Sequence, residues 1–347
     1  MRVAVVLFNL GGPDRMEAVE PFLMNLFRDP AIISAPRPVR WMIAKLVSAR
    51  RGPVARGIYE KIGGRSPILE NTERQARALE AVLSARGNVE TRCFIAMRYW
   101  TPRAEEVVIA VKKYSPDRII LLPLYPQFST TTTGSSFDEW RVCARAGGLD
   151  GHIGGVCCYA TEPGLVAALA DRIRAAVKDI ADAAPGGAVR VLFSAHGLPE
   201  KVIQSGDPYQ WHVERTARAV ATTLGMNDRG WRVCYQSRVG PMKWIEPDTA
   251  AEIRRAGEEG VSLVVVPIAF VSEHSETLVE LDMEYAKLAR ECGVPQYRRT
   301  PTVDDDPRFI EGLANMVVAA LDGRQSPCAA EGGRVCPRRF ARCPVNA

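Results

Sequence analysis

Short apolar runs alternate with longer helical patterns along this chain, and that alternation restricts the possible folds more than any other feature. Each apolar run has four to seven residues, which is the length of a buried strand. Because strands that alternate with helices form parallel sheets covered on both faces, the sequence predicts an α/β fold. The predicted strands are residues 3–8, 93–97, 118–122, 152–158, 189–194, 232–235 and 261–266, and the helical patterns include 71–86, 102–114, 162–184 and 208–224.

The two halves of the chain resemble each other. Three landmarks of the first half match three of the second in the same order: Phe8 with Phe193, Arg98 with Arg238, and Pro123 with Pro267. We therefore predict two related doubly wound domains, residues 1–160 and 161–320, followed by a cysteine-bearing tail over 321–347. The first domain carries an inserted lip at about 31–59. Ligands of open parallel sheets bind beyond the carboxyl ends of the strands, so we expect the site in a cleft between the domains.

The charge distribution excludes one class of partner and suggests another. The net charge is only +5, and no basic block is interleaved with aromatic residues as in a nucleic-acid surface. Residues 31–59 nevertheless contain six Lys or Arg and no acid, together with Trp41, Met42 and Leu46. Such a segment suits contact with an anionic membrane, predicted over 37–56, or an apolar lip over a site. An ordinary amphipathic helix packed on the domain is the alternative.

The lengths of the apolar runs bear on where in the cell the protein is expected. No run reaches the 18 apolar residues expected of a membrane span, and the first strand is too short and too soon broken by a turn for a signal peptide. We therefore expect a cytoplasmic protein, with peripheral contact at the inner membrane face as an option.

Two histidines stand where chemistry is expected. His196 directly follows a predicted strand and precedes a glycine, which places it at a cleft rather than in a core. His274 begins an acidic run that also follows a strand, whereas His152 and His212 are expected to be structural. On a helix, the four acids of this run would share one stripe: Glu273, Glu276, Glu280 and Glu284. A stripe that enters a cleft binds a divalent metal or moves protons, and a solvated acidic face is the alternative.

A threonine-rich loop offers a further, weaker signal. Residues 129–135 precede a helix that we expect to be capped by Ser136, with Glu139 three residues later. Such a loop is able to cradle an anion, such as a carboxylate of the ligand, and a simple capped turn is the alternative. The glycine turn at 11–13 lacks the spacing of a dinucleotide site.

The cysteines divide into two groups. Cys93 and Cys234 lie in predicted strands and are expected in the core, and disulfides are not expected in the cytosol. Cys328, Cys336 and Cys343 lie in the last twenty residues, in a segment without a core pattern. Ligation of a metal or cluster is one interpretation, and a flexible tail with three thiols is the other.

Six ordered motifs resemble the ferrochelatase family over nearly the whole chain. They are LFNLGGP at 7–13, IGGRSPI at 62–68, YPQFS at 125–129 with TGS at 133–135, SAHGLP at 194–199 with GDPY at 206–209, QSRVGPMKW at 236–244 and HSETL at 274–278. The resemblance implies two Rossmann-like domains with parallel four-stranded sheets and an interdomain cleft. It also implies a lyase that inserts Fe²⁺ into protoporphyrin IX to give protohaem, the last step of haem biosynthesis, without a required organic cofactor.

The resemblance carries roles to individual residues. His196 and Glu276 match the metal-binding and catalytic, proton-handling pair, and which of them takes metal and which takes protons stays open. Glu280 and Glu284 match a proton relay. The residues that match the porphyrin-binding surface are Leu10, Arg98, Tyr99, Trp244 and His274.

Some bacterial members of the family hold a [2Fe–2S] cluster on three C-terminal cysteines and one from the body of the chain. Cys328, Cys336 and Cys343 fit the C-terminal set, and either Cys157 or Cys158 supplies the fourth ligand, with Cys158 favoured. Two other functions remain open: a chelatase for coproporphyrin or another tetrapyrrole, and a non-catalytic haem or iron–sulfur sensor. The sequence leaves the oligomeric state open.

Overall fold

The fold is known from a computed structural model that describes residues 1–87, 89–149, 153–238, 240, 242–321, 328–330 and 332–345, with residue 328 described by its backbone. His152, Val239, Pro241 and the side chain of Cys328 therefore lie outside the described residues. The chain forms two compact units. Unit 1 comprises Met1–Tyr159, Leu313–Val335 and Pro344–Ala347, and unit 2 comprises Ala160–Gly312 and Cys336–Cys343. The C-terminal residues that the sequence set apart as a tail are thus divided between the two units.

Unit 1 contains a parallel sheet in the order β2-β1-β3-β4-β9. Its strands are β1 (Arg2–Asn9), β2 (Glu90–Met97), β3 (Arg118–Pro123), β4 (Ile153–Cys158) and β9 (Cys328–Ala329). Its helices are α1 (Val19–Phe27), α2 (Arg37–Glu60), α3 (Ile68–Ala85), α4 (Ala104–Tyr114) and α5 (Ser135–Ala146), with a short π-helix, π1 (Thr130–Gly134), before α5.

Unit 2 contains a four-stranded parallel sheet in the order β6-β5-β7-β8. Its strands are β5 (Val189–His196), β6 (Trp231–Gln236), β7 (Ser262–Pro267) and β8 (Tyr297–Arg299). Its helices are α6 (Pro163–Ala183), α7 (Glu200–Gln204), α8 (Tyr209–Thr223), α9 (Thr249–Glu258) and α10 (Ala286–Glu291), with a ten-residue π-helix, π2 (Glu276–Tyr285), before α10. Helix α11 (Pro307–Leu321) follows β8.

The central strands are apolar throughout because helices cover both faces of each sheet. In β1 the side chains from Val3 to Leu7 are all 0% exposed, which explains the unbroken apolar run. Phe8 packs edge-on against Trp140 of α5, with ring centroids 5.9 Å apart. In unit 2 the equivalent core joins Leu192 of β5 to Leu281 of π2. The prediction of a parallel α/β fold with two sheets is confirmed, and the strands that sequence missed, β8 and β9, are too short to show a pattern.

The sheets also correct the alignment of the two halves. In unit 1 Phe8 lies opposite Pro123, and in unit 2 Ser194 lies opposite Pro267, so Phe8 corresponds to Ser194 rather than to Phe193. The N–H of Met97 donates to the carbonyl of Pro102, and the N–H of Tyr235 donates to that of Pro247. Arg98 therefore corresponds to Gln236, not Arg238. Buried apolar strands are similar at every position, so sequence alone places them one or two residues out of register. On the corrected alignment, Leu10 corresponds to His196.

Within the described ranges, none of the helices has both the length and the apolar character needed to cross a membrane.

Candidate active site

His196 is the last residue of β5, where the strand reaches the carboxyl end of the sheet of unit 2. The next residue must allow a close approach, because the N–H of Gly197 donates to the carbonyl of Gln236 at 2.8 Å. A Cβ at Gly197 would lie 3.0 Å from that oxygen, tighter than ordinary contact. The hydroxyl of Tyr209 donates to the carbonyl of His196 at 3.0 Å. The backbone is thus fixed while the imidazole remains 36% exposed.

The acidic run forms the helix π2, whose hydrogen bonds reach five residues along the chain. Helices of this kind are rare and occur mostly as single turns, frequently at functional sites. Glu276, Glu280 and Glu284 recur every four residues along π2, and Glu284 is exposed.

The expectation that Glu273 belongs to the same stripe is wrong. Glu273 precedes the helix, which begins only after His274, so helical spacing does not apply to it. Its carboxylate instead accepts hydrogen bonds from Nη1 of Arg299 at 2.7 Å and from the N–H of Thr302 at 2.9 Å. Burial acts to raise the pKa of Glu273, but Arg299 outweighs it and the pKa is lowered.

Glu276 lies between two imidazoles. Its Oε2 is 2.9 Å from Nδ1 of His196 and 3.7 Å from Nε2 of His274. The ring of His274 is nearly buried, and its Nδ1 lies 3.1 Å from the carbonyl of Ser272. Because a hydrogen bond to that carbonyl occupies Nδ1, the other nitrogen of His274 faces the carboxylate.

The ionisation of these groups is coupled. Burial lowers the pKa of His196, but the charge and hydrogen bond of Glu276, with a smaller contribution from Glu280, outweigh burial and raise the pKa above 6.5. Burial acts to raise the pKa of Glu276, but His196 and then His274 hold it well below its usual range. Burial and the charge of Glu276 raise the pKa of Glu280. His196 and Glu276 therefore each favour the charged form of the other, beside a second carboxyl group of raised pKa.

Glu280 is held by neutral donors. Its Oε1 accepts from the N–H of Ser237 at 2.8 Å and from the hydroxyl of Tyr285 at 3.1 Å. Its Oε2 accepts from Oγ of Ser237 at 2.5 Å and from Nε2 of Gln236 at 3.1 Å. Gln236 also donates to the carbonyl of Glu276 and accepts from Ser194. These positioning residues were not predicted from the sequence, although two polar residues at the end of a buried strand were a usable signal.

Ser237 makes these contacts in an unfavourable backbone conformation. Its φ is 61°, in the left-handed region that costs a non-glycine residue of order 1 kcal/mol. This conformation directs both the N–H and the hydroxyl of Ser237 at one carboxylate.

The residues of unit 1 that were predicted to contact porphyrin form a different network. The guanidinium of Arg98 donates to Asp29, Glu139 and Ser135. Tyr99 is fully buried, and its hydroxyl donates to Asp29 at 2.8 Å. Leu10 packs beside Tyr99 in a small apolar cluster of unit 1. In unit 2, Trp244 is 8% exposed and pairs through its backbone with Pro199.

The predicted cap of the helix after the threonine-rich loop is wrong. The cap is Ser129, whose Oγ accepts from the N–H of Thr131 at the start of π1. Ser136 lies inside α5, and Glu139 binds Arg98 and Arg103 rather than closing a capping box. The helical segment begins seven residues earlier than the predicted cap, at Ser129 rather than Ser136, because π1 precedes α5.

The cysteines predicted to hold a cluster are placed as follows. Cys157 and Cys158 are buried at the end of β4, and the backbone of β9 pairs with this strand, with residue 328 opposite Val156. In unit 2, Cys336 and Cys343 are buried, and Sγ of Cys336 lies 3.3 Å from Nε2 of His212. Among the described side chains, no group of three or more His, Cys, Asp or Glu is arranged to hold a metal ion. The sulfur of Cys328 lies outside them.

His212 fits its predicted structural role. It is 0% exposed on α8, and burial together with Arg215 lowers its pKa to about 3. The ring is therefore neutral at neutral pH.

A protein-family model described as Ferrochelatase matches residues 2–321 of this chain. The chain belongs to the ferrochelatase family. A protein from Caulobacter vibrioides strain NA1000 / CB15N, named Ferrochelatase, is 52% identical over 346 residues, covering 99% of this chain and 98% of that protein. The ferrochelatase of Phenylobacterium zucineum strain HLK1 is 54% identical over 344 residues, with 99% and 98% covered.

Solved structures resemble this ferrochelatase-family chain in fold. SirB from Bacillus subtilis with Fe³⁺ matches with a TM-score of 0.52 at 15% identity, covering 92% of this chain and 96% of SirB. At that identity the likeness concerns the fold alone.

Proposed function

We propose that this chain inserts Fe²⁺ into protoporphyrin IX to give protohaem, with His196 and Glu276 at the reacting centre. The observation that carries the proposal is the 2.9 Å contact between the imidazole of His196 and the carboxylate of Glu276. Both groups are partly exposed, and the second carboxyl group, Glu280, is held by neutral donors beside them.

The chemistry requires a cation site and a proton acceptor. A free porphyrin carries two pyrrole N–H protons, which must leave as Fe²⁺ enters. Glu276 stays ionised because its pKa is lowered, so it is ready to bind the divalent cation. Imidazole and carboxylate ligands suit Fe²⁺. Once Fe²⁺ neutralises Glu276, the attraction that raises the pKa of His196 is lost, so the neutral imidazole is favoured. His196 then becomes the neutral base that accepts a pyrrole proton.

Glu280 and Glu284 form the path by which protons leave. Glu280 has a raised pKa and lies one turn beyond Glu276, while Glu284 is exposed. A proton that reaches Glu280 passes to Glu284, the next acid along π2, which is exposed to water. The overall reaction balances, since one Fe²⁺ enters and two protons leave.

Five residues are proposed to form the porphyrin-binding surface: Leu10, Arg98, Trp244 and His274 by contact with the macrocycle, and Tyr99 by positioning. The buried Tyr99 shares Asp29 with Arg98, so its part is to hold the guanidinium. His274 contributes through its ring, which packs edge-on against Phe270 with centroids 4.5 Å apart.

The experiment is an anaerobic assay in which protein, Fe²⁺ and porphyrin are mixed and haem absorbance is followed. Wild type should form haem from protoporphyrin, and His196→Ala should be slower by at least about a hundred-fold, the usual contribution of a general base. Tyr209→Phe, which removes only the hydrogen bond to the backbone of His196, is the control and should lose far less. Faster turnover of coproporphyrin would favour the alternative tetrapyrrole substrate. Haem binding without insertion would favour a sensor and contradict the proposal.

A [2Fe–2S] cluster on Cys158, Cys328, Cys336 and Cys343 is proposed as a resident cofactor. Buried thiols suit cluster ligation, and the backbone of β9 brings residue 328 to the strand that carries Cys158. The cluster would supply a redox-active cross-link between distant parts of the sequence. Cys328→Ser should abolish the iron–sulfur absorbance and the EPR signal of the reduced protein, whereas Cys143→Ser should keep both. Anaerobically purified wild type without these signals would contradict the proposal.

Peripheral contact with the cytoplasmic face of a membrane is proposed for the lip. Its helix, α2, exposes Val39, Met42 and Leu46, which follow one another at helical spacing on one face. Ala44 and Ser48, on the other side, are buried. Exposed apolar residues among arginines are typical of helices that lie in the headgroup region.

A further inference from the structure

A concave space of about 790 Å³ opens on unit 1 between the N-terminal end of α2 and the chain around Arg98. Its lining includes five arginines against three acids, so its charge is positive. The arginines are Arg28, Arg37, Arg40, Arg98 and Arg103, and the acids are Asp29, Glu105 and Glu139. Such a volume accommodates a small-molecule group rather than a single ion.

The positive charges in this space are of two kinds. Arg98 and Arg103 are neutralised by Asp29 and Glu139. Arg28 and Arg37, in contrast, have no carboxylate partner among the described residues, and both are exposed. Within the part of unit 1 that the structure describes, no carboxylate therefore neutralises these two guanidinium groups, which are suited to bidentate binding of phosphate.

A second observation also favours an anion. The space lies at the beginning of α2, a helix of 24 residues whose N-cap, Pro36, provides no side-chain cap. The unsatisfied N–H groups and the helix dipole favour negative charge at this end. The guanidinium of Arg40 donates to the carbonyl of Ala35, which ties the preceding turn to the helix.

Exposed apolar side chains lie beside the space. Trp41 lines it and is 48% exposed, and the apolar stripe of α2 continues from there with Met42 at 62% and Leu46 at 70% exposed. Lys45 lies over the Trp41 ring at 5.3 Å. Charged groups for a phosphate and apolar groups for acyl chains are thus adjacent, as a phospholipid requires.

We propose that this space binds the phosphate headgroup of an anionic phospholipid, with Arg28 and Arg37 as its cationic ligands and Trp41 at the level of the headgroups. The proposal rests on the peripheral membrane contact proposed above and gives it a defined lipid site. An arrangement of this kind distinguishes an anionic lipid from a zwitterionic one, because a nearby quaternary amine would be repelled by the two guanidinium groups.

The test is binding to phosphatidylcholine vesicles with and without phosphatidylglycerol, measured by sedimentation and by tryptophan fluorescence. The site variant is Arg28→Gln with Arg37→Gln. The matched control is Arg50→Gln with Arg51→Gln, which removes the same charge from exposed positions of α2 that do not line the space. Loss of a juxtamembrane arginine costs roughly five-fold in affinity by charge alone. The site variant should lose at least about ten-fold more than the control, because it also loses hydrogen bonds to phosphate.

The outcomes separate the two proposals. Equal losses in site variant and control would overturn the headgroup site and leave a nonspecific membrane contact. Failure of wild type to bind phosphatidylglycerol vesicles would overturn both. Saturable binding of inorganic phosphate without binding to vesicles would identify a free anion as the ligand and overturn the lipid assignment. The assay contains neither porphyrin nor iron, so none of these results depends on the proposed reaction.

Discussion

The two units share a scaffold but use the same edge of the sheet differently. In each, a residue at the carboxyl end of the second strand binds an acid on the helix that follows the third strand. In unit 1 this residue is Arg98, which binds Glu139 of α5. In unit 2 it is Gln236, which binds Glu280 of π2. A fixed cation neutralises the acid in one unit, and neutral donors hold it in the other.

That difference explains why chemistry is expected in unit 2. Glu139 already has two arginine partners, so it offers little charge to a metal ion. Glu276 and Glu280 instead face histidine and each other, and their pKa values move in opposite directions. An acid becomes useful for binding a cation or moving a proton when no permanent cation neutralises it. Leu10, an apolar residue, stands in unit 1 where unit 2 has His196.

The largest expected effect comes from removing the charge of Glu276. Glu276→Gln should slow haem formation by at least about a hundred-fold, because both the anionic ligand and the partner of His196 are lost. The loss of the ion pair with His196 should also lower the free energy of unfolding, by about 1 kcal/mol because both groups are partly exposed. Haem absorbance under anaerobic conditions gives the rate, and urea unfolding gives the stability. A rate within ten-fold of wild type would show that the two units do not differ in the way proposed.

The corresponding substitution in unit 1, Glu139→Gln, should affect the free energy of unfolding more than the rate of haem formation. Glu139→Gln leaves Arg103 without its carboxylate and Arg98 with Asp29 alone, at partly buried positions. We expect a loss of about 2 kcal/mol in the free energy of unfolding, less than the roughly 3–5 kcal/mol of a broken buried ion pair because Asp29 still pairs with Arg98. The exposed Glu106→Gln, in the same unit, is the control and should stay within about 0.5 kcal/mol of wild type by urea titration. An equal loss in both variants would contradict the structural role of Glu139.

Sequence pattern located the strands for a physical reason, and it singled out His196 and Glu276, whose side chains lie 2.9 Å apart. Buried strands must be apolar, and a polar residue at a strand end stands out against them, as His196 does after Phe193. The likeness between Pro123 and Pro267 also located the third strand of each unit correctly.

The remaining details depend on tertiary contacts that leave no local pattern. Glu273 looks helical by spacing, yet Arg299, 26 residues away, holds it outside the helix. The π-helical winding of π2 and the left-handed conformation of Ser237 both depend on the surrounding fold. Asp29 follows an ordinary helix in sequence, and only the fold shows that it joins Arg98 to Tyr99.

The pKa of His196 directly measures how the acids of unit 2 differ from the arginine-neutralised acid of unit 1, although the expected effect is smaller. Its pKa is raised by Glu276, so the imidazole should titrate above 6.5 by NMR in the unliganded protein, which has only four histidines to assign. The ion pair then contributes stability below pH 6.5 that is lost as pH rises through the folded-state pKa. In Glu276→Gln the titration midpoint of His196 should fall. Burial lowers the pKa of His196, and the charge of Glu276 no longer offsets that effect. A midpoint unchanged by this substitution would show that the contact does not control the charge of His196.

The smallest expected effect concerns Ser237, the residue that follows Gln236. Ser237→Ala removes the hydroxyl that donates to Glu280 but keeps a side chain at φ 61°, so it should lose about 1 kcal/mol of unfolding free energy. Ser237→Gly loses the same hydrogen bond but relieves the strained backbone, and its loss should be smaller. Tyr99, the corresponding residue of unit 1, has no positive φ and reaches Asp29 through its side chain instead. If the glycine variant proves less stable than the alanine variant in urea, the left-handed conformation is not a cost at this position, and the contrast between the two strand ends lies in their side chains alone.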